Sequence, residues 1–230
     1  MKQLLTDSAY FGVAVSLIGY ELGLLLRKKL KSSFVNPLLV AILFVIAALL
    51  LLRVDYASYM NGAKTLSWLL TPATVCLAVP LYEQLSLLRK NWRAVCAGIL
   101  SGVLASLGSI LLLSWIFGLT HAEYVTLLPK SITTAIGMGL SEELGGSVTI
   151  TVAAIIVTGI FGNVAAELIF KLFRIVHPVA RGLALGTASH AIGTARALEL
   201  GQAEGAMSSL AIAVAGLTTV LLASVFAQFL

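Results

Sequence analysis

The chain has 230 residues, of which 59% are hydrophobic and only 11% are charged, and its formal net charge is +5. Soluble proteins are about 45–50% apolar and about 25% charged, so a soluble enzyme, a disordered regulator and a nucleic-acid-binding module are excluded. The basic residues fall in short clusters between apolar runs, which is typical of membrane orientation signals. We therefore predict an all-α, polytopic integral membrane protein.

The first predicted spanning helix covers residues 8–26. About 20 mostly apolar residues suffice to cross a bilayer, and this run is long enough. By the positive-inside rule the basic cluster at its end lies in the cytoplasm, so the N-terminus is expected outside. That cluster contains Arg27, Lys28, Lys29 and Lys31.

The second predicted span starts at Asn36 and Pro37 and extends to about residue 52. Proline suits the first turn of a helix, where its missing N–H needs no partner. We predict a hinge or helix break at these two residues and a polar loop after the span. That loop contains Arg53, Asp55, Asn61 and Gly62.

The third predicted span covers residues 66–88 and contains Pro72 and Pro80. Prolines inside a helix remove backbone hydrogen bonds and free carbonyl groups, so we predict a hinge or break at both. Glu83 allows two interpretations. It is either a carboxylate of a cavity or the partner of the basic residues that follow the span.

The fourth predicted span covers residues 94–117. The third and fourth spans each contain one cysteine, Cys76 and Cys96, without CxxC spacing or a neighbouring histidine. We interpret both as core thiols and not as metal ligands or disulfide partners.

The next segment, residues 127–146, is too polar for a lipid-facing helix. We predict a re-entrant hairpin that enters and leaves on the outer side, because the apolar span after it, residues 147–170, ends at another basic cluster. Pro129 suits the start of a half-helix, whose free N–H groups attract an anion, and Lys130 adds a positive charge. The alternative is that Lys130 extends to the lipid headgroups as an anchor.

Residues 182–200 form a second polar segment inside an apolar run, either re-entrant or a full crossing. On a continuous helix, residues three or four positions apart share a face, so its polar groups would face the protein interior. Glycines permit close packing or unwinding, and we predict hinges at Gly186 and Gly193. The alternative is polar helix packing with Arg196 at a boundary. The polar sector comprises Thr187, Ser189, His190, Thr194 and Arg196.

A last predicted span covers residues 204–229. No linker divides the chain, so we predict a single domain over residues 1–230. In total we expect about six spanning helices plus two re-entrant or broken segments. The two opposed hairpins are compatible with an inverted repeat.

The sequence has no nucleotide-binding glycine loop, metal-ligand cluster or nucleophile motif. We therefore expect no cofactor, no metal and no enzymatic activity.

The two polar segments together predict a water-accessible site of positive character. A small carboxylate suits such a site, because arginine binds it bidentately and hydroxyl groups orient it. His190 changes charge near neutral pH, which permits proton coupling. Pro129 is a further predicted hinge. The predicted substrate-binding residues are Lys130, Ser131, Thr133, Thr134, Ser189, His190, Thr194 and Arg196.

Four stretches of the sequence are NPLLVAI (36–42), LTPATVCLAVPLYEQ (70–84), LPKSITTAI (128–136) and RGLALGTASHAIGTARALEL (181–200). They resemble the LrgB/CidB family, and the resemblance extends over nearly the whole chain. Members of that family are described as antiholin-like proteins or murein hydrolase regulators. The family also includes the C-terminal half of the plastidal glycolate/glycerate translocator, and bacterial relatives are linked to pyruvate uptake.

The resemblance implies two alternative functions. One is a secondary transporter of small monocarboxylates such as glycolate, glycerate or pyruvate that works by alternating access. The other is an antiholin-like regulator of murein hydrolase activity and cell lysis. The resemblance also implies a small LrgA/CidA-type membrane partner and a location in the bacterial inner membrane. By analogy with elevator-type transporters we expect a homodimer, and we expect no nucleic-acid partner.

Overall fold

The computed structural model describes residues 10–230 except 31–36, 70–71, 73–74 and 77. Every regular element in this part of the chain is helical, and the protein is an all-α polytopic membrane protein, which confirms the predicted fold class. The elements are α1 (Phe11–Leu30), α2 (Pro37–Leu52), α3 (Tyr56–Trp68), α4 (Ala78–Glu83), α5 (Leu85–Phe117), α6 (His121–Leu127), α7 (Thr134–Glu143), α8 (Val148–Leu172), α9 (Pro178–Leu200), α10 (Gln202–Phe226) and a final 3₁₀ turn (Ala227–Phe229).

Three of the described helical stretches are long and apolar enough to cross a membrane, and α2 is a shorter apolar helix. Large apolar side chains such as Phe117, Phe161 and Leu217 are mostly exposed on them. Exposure of this kind is expected where lipid is the solvent. The three stretches are Arg89–Phe117, Val148–Leu172 and Gln202–Phe229.

The chain divides into two compact units, residues 1–76 and 77–230, so the single-domain prediction stays a prediction. In the first unit, α1 packs against α2 and α3. A Cβ atom on Gly12 would lie 2.3 Å from the carbonyl oxygen of Tyr59, so α1 and α3 approach closely because this position has no side chain. The hydroxyl groups of Ser16 and Tyr59 are 2.8 Å apart and join the same two helices.

The prediction of a polar loop after α2 was wrong, because most of that stretch forms α3. Asp55 caps this helix by accepting a hydrogen bond of 2.9 Å from the backbone N–H of Ser58. This bond holds the pKa of the Asp55 carboxyl below its usual value. The turn-forming residues Asn61 and Gly62 lie inside the helix, where packing on α1 outweighs their low helix propensity.

The predicted third span is not one continuous helix, since α3 ends at Trp68 and α4 starts at Ala78. Pro80 lies in the first turn of α4, which tolerates proline, and the helix is interrupted after it at Gln84. A kink follows at Asn91 inside α5, where the side-chain amide donates to the carbonyl of Leu87 over 2.9 Å.

The other predicted proline hinges have different outcomes. Pro37 is the first residue of α2, as its preference for the first turn predicts. Asn36 lies outside the described residues, and Pro72 is helical between residues outside them. Hinges at Asn36 and Pro72 stay predictions.

The interpretation of the cysteines as core thiols was wrong, because Cys76 and Cys96 are both exposed. In α5 the buried stripe repeats at three- and four-residue intervals and includes Val95, Ile99 and Val103. Cys96 lies outside that stripe, on the face that a membrane-spanning helix presents to lipid.

The core of the second unit lies between α5, α9 and α10. The α5 stripe packs on Leu183 of α9 and Met207 of α10. Helices α9 and α10 approach closely at Gly182 and Gly186, where a Cβ atom would lie 2.4 Å from the carbonyl oxygens of Glu204 and Ser208, respectively. These glycines therefore act in close helix packing.

The segment predicted as a re-entrant hairpin, residues 127–146, contains the last residue of α6, a turn and α7. We call α6, this turn and α7 together, residues 121–146, the hairpin. Hydroxyl groups join it to the start of α8. The Thr151 hydroxyl donates to the carbonyl of Thr126 over 2.8 Å and lies 2.7 Å from the Ser141 hydroxyl. The Ser147 N–H donates to the Thr126 hydroxyl over 2.8 Å. Because buried polar groups need partners, these bonds fix the hairpin on α8.

The second polar segment lies in α9, which is interrupted at His190. This residue has φ 42° and ψ −134°, which is strained for a residue with a side chain. The predicted hinge residues Gly186 and Gly193 are both helical and flank the break. The interruption thus lies at the histidine between the two glycines.

Candidate functional site

A cavity of about 1050 Å³ lies in the second unit between α5, α8, α9 and the turn before α7. Of the eight predicted binding residues, Lys130, Ser131 and Ser189 line it. Glycines and hydroxyl residues make up much of the remaining wall. The hydroxyl residues not predicted as binding residues are Ser101, Ser106, Ser109, Thr158 and Thr187.

Lys130 supplies the positive charge of this cavity. Its ammonium group donates to the hydroxyl oxygens of Ser106, over 3.3 Å, and Ser131, over 3.0 Å. Neither of the two ion pairs found in the described part of the chain involves Lys130. A half-buried cation with only neutral partners is poorly compensated, so this end of the cavity favours an anion.

The turn before α7 fixes where Lys130 lies. Pro129 restricts the backbone there, and hydrogen bonds from the N–H of Lys130 to the carbonyl of Leu127 (3.1 Å) and from Ile132 to Pro129 (3.3 Å) close two successive turns. Leu128 and Pro129 are fully buried. The charged side chain is therefore carried by a well-packed turn.

Thr187 of α9 also lines the cavity, and its buried hydroxyl has no hydrogen-bond partner among the described residues. Such a group is costly unless a ligand or water satisfies it. Glycines on the facing helices leave room beside it. A Cβ atom on Gly102 would lie 2.6 Å from a methyl carbon of Thr187, and one on Gly162 would lie 1.7 Å from the Ser189 hydroxyl.

His190 is buried and is not among the residues that line the cavity. Its Nε2 lies 3.0 Å from the carbonyl oxygen of Ile155 on α8. Because a carbonyl oxygen only accepts, Nε2 carries the proton. Gly159 accommodates the ring, since a Cβ atom there would lie 2.8 Å from two imidazole atoms. The histidine thus links the interrupted part of α9 to α8.

Thr194 and Arg196 also have partners within the protein. The Thr194 hydroxyl donates to the carbonyl of His190 over 3.0 Å and lies 2.7 Å from the Ser208 hydroxyl. The Arg196 guanidinium forms ion pairs with Glu167 of α8 and Glu199 of α9. Neither Thr194 nor Arg196 lines the cavity.

Thr133 and Thr134 mark the start of α7, with Thr133 at the N-cap position but without a capping hydrogen bond from its side chain. Neither is among the cavity-lining residues. The structure therefore brings together Lys130, Ser131 and Ser189 and places Thr133, Thr134, His190, Thr194 and Arg196 elsewhere. Binding roles for all eight stay predictions.

Sequence reasoning missed several polar residues that the fold brings into this region. Ser106 contacts Lys130, and Asn163 of α8 donates to the carbonyl of Ile192 over 3.1 Å. Asn163 and Glu167 lie four residues apart on α8 and share a face, as helical periodicity requires. This spacing of two polar residues in an apolar span was the signal available in the sequence.

One end of the large cavity is lined by Asn91 and His177, and we call it the basic end. Both lie next to cationic stretches of the chain, one at the start of α5 and one between α8 and α9. Arg181, in the first turn of α9, donates to the carbonyl of Ile175 over 2.7 Å and stacks over the ring of Phe170.

A second, smaller cavity of about 500 Å³ lies near the opposite end of α5, lined by parts of α6 and the start of α8. Glu123 lines it, and its carboxylate accepts from the N–H of Thr120 over 2.8 Å in a capping box. That bond holds the pKa of Glu123 below its usual value. In the described ranges, no group of three or more His, Cys, Asp or Glu side chains is placed to hold a metal.

The chain is similar to known proteins over nearly its full length. The sequence pattern of the LrgB-like family matches residues 16–229. Proteins named antiholin-like protein LrgB from Bacillus mycoides, Bacillus cereus and Bacillus anthracis are each 39% identical to it over 226 residues, which cover 98% of this chain and 98% of each relative. No solved structure matches it significantly.

Proposed function

The chain belongs to the LrgB-like family, and on that premise we propose that it is an antiholin-like protein of the bacterial inner membrane. The observation that carries this proposal is the 39% identity over 98% of the chain to relatives named antiholin-like protein LrgB. In this role the protein restrains murein hydrolase activity and cell lysis. A small LrgA/CidA-type membrane protein is the proposed partner, and a homodimer the proposed assembly.

The orientation we propose places the basic ends of the helices in the cytoplasm and the N-terminus outside. Cations lie at the end of α1, the start of α5 and the end of α8. Reporter domains fused after Leu30 and after Phe117 test this orientation. We expect cytoplasmic reporter activity for the first fusion and external activity for the second.

Gene deletion tests the antiholin-like role. Cells that lack the chain should lyse faster than wild-type cells when detergent activates their murein hydrolases, and expression of the intact chain should restore the slower rate. Equal lysis rates with and without the chain would contradict the proposal. The lysis rate of cells that express Lys130→Gln, a variant without the cavity charge, tests whether restraint of lysis depends on the large cavity.

A second candidate function, transport of a small monocarboxylate, is supported by the large cavity. Lys130 has only hydroxyl partners there, and Thr187 has an unsatisfied hydroxyl on the same wall. A carboxylate at the ammonium group would supply the missing negative charge, and a polar substituent on the substrate would satisfy Thr187. The cavity volume leaves room for water around a molecule as small as glycolate or pyruvate.

In the transport proposal, the predicted binding residues outside the cavity have a different role from those that line it. Arg196 has carboxylate partners and His190 a backbone partner, so in this proposal both position helices and neither contacts the substrate. Lys130 is the carboxylate anchor, and Ser106, Ser131 and Thr187 are its polar neighbours.

Uptake of labelled glycolate, pyruvate or lactate into proteoliposomes tests the transport candidate. We expect saturable uptake by the wild-type protein and its loss in Lys130→Gln. Lys171→Gln is the matched control, because Lys171 is an exposed cation at the end of α8, outside the cavity. Absence of saturable uptake for all three acids by correctly folded protein would remove this candidate.

A further inference from the structure

The two cavities of the second unit approach the same turn of the chain. Leu127 lines the small cavity, and Lys130 lines the large one. Between them are only Leu128 and Pro129, and both are fully buried. In sequence, two residues thus separate the wall of one cavity from the wall of the other.

Helix α8 repeats this arrangement. Ser147, just before the helix, and Ile150 in its first turn line the small cavity, and Thr158, further along, lines the large one. On one face of the helix between them, Thr151 and Ile155 are completely buried. Buried residues therefore separate the two cavities along α8, as they do at the turn before α7.

Helix α5 completes the pattern. Ser109 lines the large cavity, and Leu119, just after the helix, lines the small one. Ser114 lies between them, is buried, and has a hydroxyl group with no partner among the described residues. A buried, unsatisfied hydroxyl is unusual in a purely structural layer.

A few side chains close the layer. A Cβ atom on Gly137 would lie 2.5 Å from the terminal carbon of Ile155 and 3.5 Å from the Cβ of Pro129. Gly137 thus packs directly between the turn and α8. We call Leu128, Pro129, Gly137 and Ile155 the barrier.

We infer that the barrier is the gate of a single permeation path that leads from the basic end of the large cavity, past Lys130, to the small cavity at Glu123. The structure corresponds to the state in which this gate is closed. The inference rests on the transport candidate for its purpose, because a path through the protein serves a solute that crosses.

The gate is suited to local movement. Leu128 and Pro129 belong to a turn between two helices of seven and ten residues, and not to a membrane-length helix. The bonds from Thr151 and Ser147 to Thr126 and Ser141 hold the hairpin on α8 on both sides of the turn. Displacement of the turn from Ile155 therefore opens the barrier without detaching the hairpin.

Cysteine accessibility tests the gate without a substrate. In a background with Cys76→Ala and Cys96→Ala, single cysteines replace Ser106 in the large cavity and Ala122 in the small one. Two membrane-impermeant methanethiosulfonates, one negatively and one positively charged, are applied to sealed vesicles of both orientations. We expect the two cysteines to react from opposite sides of the membrane.

Barrier variants then open the path. Leu128→Ala should make the cysteine at position 106 react at least tenfold faster from the side on which it is protected. Ile155→Val is the milder second variant, for the case that Leu128→Ala fails to fold, and should give a smaller increase. Leu107→Ala, a truncation of an equally buried leucine of α5 outside the barrier, is the matched control.

Several outcomes would overturn the inference. These are reaction of the two cysteines from the same side, no change in one-sided protection in either barrier variant, and an equal increase in the Leu107→Ala control. If gating is observed but no carboxylate is taken up, the gate stands and the monocarboxylate proposal fails. If carboxylate uptake is observed without gating, the gate alone fails.

Discussion

Lys130, in the turn before α7, and Arg196, near the end of α9, are both cations within apolar stretches, yet their surroundings differ. Arg196 pairs with the carboxylates of Glu167 and Glu199. Lys130 contacts two serine hydroxyls. A cation with carboxylate partners stabilises the packing of helices, whereas a cation with neutral partners on a cavity wall can bind an anion. The partners of a partly buried charge therefore indicate its role better than the charge itself does.

The largest expected effect comes from removal of the cavity charge. Loss of one partner of a buried charge pair costs roughly 2–5 kcal/mol, so Lys130→Gln should weaken carboxylate uptake by roughly thirtyfold or more. Its thermal stability in detergent should be unchanged or higher, because an uncompensated charge is gone. Uptake by Lys130→Gln at the wild-type rate would contradict the assignment of Lys130 as the cation that binds the carboxylate.

Arg196→Gln should have the opposite profile. Its removal leaves Glu167 and Glu199 without their shared partner, and the free energy of unfolding should fall by about 1–3 kcal/mol, a value reduced for the partial exposure of Glu167. A Glu167→Gln change in the same chain should recover part of this loss. Chemical denaturation of the single and double variants measures the coupling, and its absence would contradict a structural role.

Two substitutions of His190 separate the effect of backbone strain on stability from the effect of the side-chain hydrogen bond. Substitution by alanine or glycine removes the bond to Ile155, but only glycine tolerates φ 42° without strain. His190→Gly should therefore be about 1 kcal/mol more stable than His190→Ala. Thermal unfolding of the pair measures the difference. Equal stabilities would mean that α9 relaxes to a regular helix when the imidazole is lost.

Two threonines of α9 offer a matched pair. Thr194 has two hydrogen-bond partners, and Thr187 has none among the described residues. Thr194→Val should cost about 1 kcal/mol of stability, and Thr187→Val close to none. If Thr187 binds a solute, its variant should raise the KM for carboxylate uptake while the protein stays as stable as the wild type. An equal loss of stability in both variants would contradict the distinction.

The smallest effect concerns the acid end of the hairpin. The pKa of Glu123 is lowered in the folded protein by hydrogen bonds from Thr120, so its contribution to stability is present above the unfolded pKa and is lost as the pH falls through the folded one. The hydrogen-exchange protection factors of the α6 amides, which correct for the intrinsic pH dependence of exchange, should therefore fall below about pH 4.3. Thr120→Val should remove this pH dependence, and an unchanged dependence would assign it to another group.

Much of the fold follows from local sequence features. The apolar runs predict α1, α2, α5, α8 and α10, because a stretch of about 20 residues without charge has few alternatives in a bilayer. The polarity of residues 127–146 likewise predicts that no continuous helix forms there. The exposure of Cys96 and the formation of α3 were missed, because both depend on which face of a helix meets its neighbours.

The sequence by itself determined that this is a helical membrane protein of the LrgB-like family with two polar, interrupted segments, because hydrophobic length and local polarity act over neighbouring residues. Only the tertiary structure decided which cation is neutralised and where α9 breaks. The carboxylate of Glu167 is 29 residues from Arg196, and the serine beside Lys130 is 24 residues away. Contacts between residues so distant in the chain depend on how the helices pack, and no local pattern encodes them.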